Sequence, residues 1–443
     1  MVRTLDPARV RFPSHDDPDG DPEPFVRYRE LFHAHHLGRA AGLSDASHVD
    51  LLRALDDAIA EVDGRGFDVT PFERADALSE ALGSAPSGGV GVKDETGNVS
   101  GSHKARHLMG VMAHLRVVDA IAGGGPVPDL AIASCGNAAL GAAVVAKAAR
   151  RRLLVFVPAW ADPVVLARLH ALGAVVESCP REPGVPGDPT YHRLRRAIRD
   201  GAVPFTCQGP DNGLAIEGGE TLGYELATQQ LASGVRLDRI VIQVGGGALA
   251  TSVYRGLEDA IALGADLEMP TIDTAQTDGA WPLRRAWQRF AHGVLVRAGH
   301  HEPEAYPDRE LAELLLHPSV TDDVEIELTE ARRHRSAFMW PWEEEPRSLA
   351  TGILDDETYD WAAVLEAMVR TGGIPLVVDE VTIAEANDRA RAATGIDVDH
   401  TGSAGLAGLL ALRRRGESDP DERVAVLFTG VRREAPATRG KEG

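Results

Sequence analysis

Four places in this chain of 443 residues have residue types and spacing able to carry chemistry. The first is Lys104, inside Ser100-Gly101-Ser102-His103-Lys104-Ala105-Arg106, between a short strand at 90–93 and an apolar helix. Lys93, Lys104, Lys147 and Lys441 are the only lysines among 46 basic residues, so an amine stands at 104 in a chain that otherwise uses arginine. Arginine carries charge equally well but forms no Schiff base, whereas a lysine desolvated near a helix start can lose its proton and attack a carbonyl. The plainer reading is a surface lysine following a helix cap supplied by Ser100 or Ser102.

The second place is Ser134-Cys135-Gly136-Asn137-Ala138, where an apolar strand at 130–133 turns into an alanine-rich helix. The unpaired amides and positive dipole of a helix start suit a carboxylate, and the Asn137 amide can donate to an oxygen. An ordinary β-α turn, with glycine for geometry and asparagine for tolerance, is the alternative. The third is Gly245-Gly246-Gly247-Ala248-Leu249, which follows an apolar strand at 240–244. Successive N–H groups there make a phosphate cradle without a lysine. Its spacing fits neither the P-loop nor G-x-G-x-x-G, which weakens an ATP or dinucleotide reading; a tight turn for close helix packing is the competing account. The fourth is Thr429, a hydroxyl at the carboxyl end of a strand at 424–428, where open α/β sheets place their ligands.

Strands and helices that position these groups alternate from about residue 66 onward, which predicts a mostly parallel sheet in an α/β protein. The strand expectations are 90–93, 130–133, 153–157, 174–177, 240–244, 268–274, 375–378 and 424–428. Residues 1 to about 22, rich in Asp and Pro, read as a loose tail, and 24–63 as extension helices. The expected organisation is 1–65 tail and extension, 66–210 a first α/β domain with the lysine and the carboxylate turn, and 211–443 a second with the glycine turn. Residues 297–347, with Trp340-Pro341-Trp342 and many acids, show no clear period and read as an insertion.

Composition narrows the function classes. A formal charge of −21 would repel a phosphate backbone, so nucleic acid is not an expected partner. No run is apolar and long enough for a membrane span and the N-terminus lacks a signal core, so a cytoplasmic protein is expected. Cys135, Cys179 and Cys207 have no metal-ligand spacing and suit a reducing compartment. His33, His35 and His36 point different ways on a helix, and no metal is expected.

Taken together and in this order, the lysine after Ser-Gly-Ser-His, the Ser-Cys-Gly-Asn-Ala turn and the triple-glycine turn resemble the pyridoxal-phosphate enzymes of fold type II. The superfamily includes threonine synthase, threonine and serine dehydratases and the tryptophan synthase β subunit. Further echoes are Glu217-Gly218, Thr221-Leu222-Gly223-Tyr224-Glu225, Ser348-Leu349-Ala350 and Gly402-Ser403-Ala404-Gly405. The likeness runs from about Thr70 to Thr429. It implies two three-layer α/β/α domains, pyridoxal phosphate bound to Lys104, Asn137 on the cofactor's phenolic oxygen, Gly245, Gly246, Gly247, Ala248 and Leu249 around its phosphate, and Thr429 at the pyridine nitrogen. It also implies Ser134 to Ala138 on the substrate carboxylate and a homodimer. Phe25-Val26-Arg27-Tyr28-Arg29 with Thr70-Pro71 resembles threonine synthase, whereas His103 and Ala105 depart from that group's Phe and Asp. The function expected is a lyase that deaminates a hydroxy amino acid by β-elimination. The alternatives are threonine synthase-like replacement on a phosphorylated amino acid and a non-catalytic binding protein that keeps the fold.

Overall fold

Ten strands among the described residues, 5–14, 20–181 and 187–433, form two sheets in the computed structural model. They are β1 (Phe72–Arg74), β2 (Gly89–Asp94), β3 (Leu130–Ala133), β4 (Leu153–Pro158), β5 (Val175–Cys179), β6 (Val203–Pro204), β7 (Arg239–Gln243), β8 (Thr271–Thr277), β9 (Pro375–Val378) and β10 (Arg423–Phe428). The larger sheet runs β1-β2-β10-β7-β8-β9 and the smaller β5-β4-β3-β6. Every pairing is parallel except β1 with β2. Val424 to Phe428 and Ile240 to Ile242 are buried throughout, as strands covered on both faces by crossover helices must be. This is the mostly parallel α/β architecture that the alternation predicts.

The sheets do not follow a contiguous cut at 210. β3 to β6 make the smaller sheet, but β1 and β2, expected with them, pair into the larger one through β2 and β10. The lysine therefore follows a strand of the larger sheet, while the carboxylate turn follows a strand of the smaller. The long helices Lys104–Ala122 and Gly213–Ser233 pack on each other between the two.

Other expectations change in detail. Strand β1 is not among the expected strands, and the strand expected at 268–274 lies at Thr271–Thr277. Residues 297–347 are not an irregular insertion: the helices Asp308–Leu315 and Thr321–Arg333 bury Leu311, Leu315, Val324 and Leu328 in the core of the larger sheet. Short helices broken by prolines and rich in charge hide their period. The segment 24–63 is more than an extension, because Phe25, Leu31, Leu52 and Ile59 share one core with Met109 and Met112 of the lysine helix. Within the tail, Val10 is buried and Phe12 stacks on Tyr28 at 6.0 Å; residues 1–4 and 15–19 lie outside the described ones.

Candidate active site

Lys104 is the first residue of the helix Lys104–Ala122, as expected, but no serine caps that helix. Ser100 sits in a 3-10 turn with φ 58°, a left-handed conformation that non-glycine residues adopt at a cost. The Ser100 and Ser102 hydroxyls are buried without hydrogen-bond partners among the described residues. That is the opposite of capping, and it leaves two unmet donors beside the amine.

The position of Lys104 is fixed from two sides. His103 donates both its backbone N–H and Nδ1–H to the Thr429 carbonyl, each at 3.2 Å. Because a carbonyl only accepts, the proton sits on Nδ1. Burial first, then the nearby Lys104 and His107 charges, hold the imidazole well below its usual range, so it is neutral. Below the helix lies a salt-bridge network with Lys93, Glu95, Arg106 and Glu225 all fully buried. Arg106 donates to Glu95 Oε2 at 2.8 Å and Glu225 Oε1 at 2.6 Å, and Lys93 Nζ donates to Glu225 Oε2 at 2.6 Å. Thr70 completes it through Glu95 Oε1 at 2.5 Å. Two cations face two anions, which is the condition under which buried charges are tolerated.

The other predicted residues converge on the same place. Asn137 opens the helix Asn137–Ala148 after Gly136, which supplies no side-chain cap. A Cβ added to Gly430 would stand 2.9 Å from Asn137 Nδ2, so the amide lies beside the Thr429-Gly430 peptide. Ser134, Cys135, Gly136 and Ala138 line the same half-buried turn. Gln243 at the end of β7 donates to Thr429 Oγ1 at 2.7 Å; a hydroxyl that accepts there keeps its own proton to donate elsewhere. Gly245 and Gly246 follow β7, and Gly247, at φ 94°, caps the helix Ala248–Ala262. Only glycine takes that φ freely, which turns the amides of the run inward.

Sequence reasoning missed three contributors. Asp355 Oδ2 lies 2.5 Å from where a Gly245 Cβ would be, and the Gly246 amide steadies its charged form. Burial first raises its carboxyl to about 6, against the pull of Lys104. Asp360 accepts from Gly209 N–H at 3.2 Å and is raised to about 7, again by burial first, with Lys104 among the opposing charges. Both lie between the stretch 297–347 and the helix Trp361–Thr371, soon after the Ser348-Leu349-Ala350 run that could have drawn attention to them. The third is Arg433, which donates to Asn137 Oδ1 and to the Ser100 carbonyl. A guanidinium has no acceptor, so the Asn137 oxygen faces it and Nδ2–H₂ is left as a donor toward the site.

These residues suit a phosphorylated carbonyl cofactor. The glycine turn already receives an anion in the Asp355 carboxylate, an amine opens the adjacent helix, and the Thr429 hydroxyl retains a donor proton. The comparisons with known proteins agree. The chain is 26% identical over 376 residues to the threonine synthase of Methanosarcina acetivorans, covering 83% of this chain and 76% of that protein. In fold it is similar to the threonine deaminase of T.th., with TM-score 0.59, 22% identity and coverage of 87% of this chain and 99% of that one. Maize serine racemase gives TM-score 0.58 at 17% identity, covering 87% and 93%. Residues 65–430 match the family described as pyridoxal-phosphate dependent enzyme, and with the lysine, the glycine turn and the donor-bearing threonine brought into one site, the chain belongs to that family.

Proposed function

We propose that this enzyme is a lyase acting on a small β-hydroxy amino acid such as threonine or serine, with an oxo acid and ammonia as products. When bound, pyridoxal phosphate supplies the electron sink for loss of the Cα proton. On this reading Lys104 Nζ would hold the cofactor and would accept the Cα proton of the substrate. The amides of Ser134 to Ala138 hold the substrate carboxylate, those of Gly245 to Leu249 the phosphate, and Asn137 Nδ2 the phenolic oxygen. Thr429 would donate its hydroxyl proton to the pyridine nitrogen, an arrangement that would favour expulsion of a β-substituent over transamination. Asp355 and Asp360, titrating near neutrality, can give a proton to the departing hydroxide.

The observation that supports a hydroxyl over a phosphate as leaving group is the charge around the cleft. Cys135 in the carboxylate turn feels Asp188, Asp355 and Asp162, and Asp355 in turn faces Asp356 and Asp188 with Lys104 as its opposing cation. A phosphate monoester entering there meets these carboxylates, against which Arg181 beside Asp356 and Arg255 beside Asp360 are the facing arginines. The second reading, replacement on a phosphorylated amino acid, is supported by the two curated relatives, both threonine synthases. Assay with L-threonine, L-serine and O-phospho-L-homoserine separates them: oxo acid and ammonia from the first two is the expected result, and release of inorganic phosphate with formation of threonine from the third would overturn it. We also propose a cytoplasmic homodimer; the three unpaired thiols support the compartment, and the resemblance supports the assembly.

A further inference from the structure

At the opposite end of β7 and β10 from the active site lies an open cavity of about 790 Å³ whose lining includes Arg239, Arg309, Arg413, Glu313 and Glu417. Arg239 opens β7, and the loop before β10 forms another wall. The strands that carry the glycine turn and Thr429 at one end thus begin at this cavity, about 20 Å away at the usual rise of a strand.

Its charges are unevenly satisfied. Arg239 is paired with Asp273 and Glu422. Arg309 spends Nη1 on the Gly372 carbonyl at 3.1 Å, with Nη2 3.7 Å from Asp273 Oδ1, and Arg413 spends Nη1 on the Ser418 carbonyl at 3.2 Å and Nη2 on Ser84 Oγ at 3.4 Å. Nε of Arg309, Nε of Arg413 and Oε2 of Glu417 are buried without hydrogen-bond partners among the described residues. Buried polar atoms in folded proteins are normally satisfied, and an orphan asks for a ligand. Here orphans of both signs belong to residues that line one cavity: guanidinium N–H groups that lack an acceptor, and a carboxylate oxygen that lacks a donor. Burial also pulls the Arg413 guanidinium below its usual range, with Arg239 adding to the effect against Glu422 and Asp419. That cation is therefore undercompensated within the chain.

We propose that this cavity is a second small-molecule site that takes a free α-amino acid as a zwitterion, its carboxylate on Arg309 and Arg413 and its ammonium on Glu417. A simple anion would leave Glu417 unmet and a simple cation would leave the arginines unmet. A ligand here braces the loop that feeds β10 against the start of β7, so the site is placed to act on the catalytic end as an effector site.

The test is binding to the holoenzyme, with the cofactor absorbance band reporting any occupancy of the active site. The twenty proteinogenic L-amino acids are screened by calorimetry and thermal shift, with propanoate and propylamine as single-charge probes. We expect at least one amino acid to bind saturably without moving the cofactor band, at least tenfold more tightly than either single-charge probe. We expect Arg413→Ala and Glu417→Gln each to weaken it tenfold or more while the band stays unchanged. Binding only with a change of the band, equal binding of propanoate, or unaltered affinity in both variants would each overturn the proposal. Because binding rather than turnover is read, the outcome does not depend on the identity of the substrate.

Discussion

At the scale of single residues, the site asks three separable things of three side chains. Lys104 supplies the amine; Lys93 is locked to Glu225 and the Thr70 carbonyl, and Lys147 lies in the last turn of the helix Asn137–Ala148, so neither can stand in. Lys104→Ala is expected to lose cofactor absorbance and turnover together, and borohydride reduction followed by peptide mapping should label Lys104 alone. Label on another lysine would end the assignment. Arg433 sets which way the Asn137 amide faces. Arg433→Leu frees that amide to flip, and the expected result is cofactor affinity weakened by about tenfold, the worth of one well-placed hydrogen bond, with the denaturation midpoint little changed. Equal loss of both would reduce Arg433 to a packing residue. On the proposed reading Thr429 tunes electronics: Thr429→Asp would favour a protonated pyridine nitrogen, so racemisation should rise at the expense of elimination, while Thr429→Ser should leave the ratio intact. An unchanged product ratio in Thr429→Asp, with normal cofactor binding, would show that the hydroxyl does not face that nitrogen.

At the scale of elements, the start of the lysine helix is held by the buried set Lys93, Glu95, Arg106 and Glu225, which joins β2 to the helix Gly213–Ser233. Removing Arg106 strands Glu95 and leaves Glu225 with Lys93 as its one cation, so Arg106→Leu should cost about 3–5 kcal/mol of stability, because the desolvation of Glu95 is no longer offset. Arg106→Leu combined with Glu95→Leu should cost less than the two changes summed, a coupling that a double-mutant cycle in urea reads directly; strict additivity would deny the network. This network also shows where sequence reading stops. Strands 375–378 and 424–428 were legible because an apolar run bounded by turn residues is a local signal. The three ligand turns were legible because glycine, asparagine and lysine at strand-to-helix turns have few other uses. Nothing local marks Lys93 and Glu225 as partners 132 positions apart, or sends β2 past β3 to pair with β10. Asp355, Asp360 and Arg433 escaped for the same reason, since their significance is contact with turns far away in the chain.

At the scale of the whole molecule, excess negative charge and buried carboxylates fix how stability depends on pH. Glu23, Asp355 and Asp360 are each raised by burial first, to about 8, 6 and 7. An acid whose folded value lies above its unfolded one binds more protons when folded, so its effect is neutral below the unfolded value and turns into a cost as pH rises through the folded one. Three such groups therefore remove stability progressively between about pH 4 and about 8, and the repulsion within a chain of charge −21 works in the same direction. Glu325 and Glu385, held below their usual range by the arginines that donate to them, act oppositely, and their stabilisation is lost only as the pH falls below the usual carboxylate range. Buried His48, His103 and His107, held below the usual imidazole range by burial first, act the other way up to about pH 6.5, so the denaturation midpoint should fall from there toward pH 8. Asp355→Asn and Asp360→Asn keep shape but cannot ionise; each should be more stable than the parent at pH 8, by on the order of 1–3 kcal/mol for shifts of this size, and equal to it near pH 4. Urea melts of the three proteins at pH 4, 6 and 8 measure this. A parent midpoint that rises from pH 6 to 8, or variants that track it at every pH, would mean that the two aspartates are solvated in solution, and the negative field invoked against a phosphorylated substrate would lose its basis.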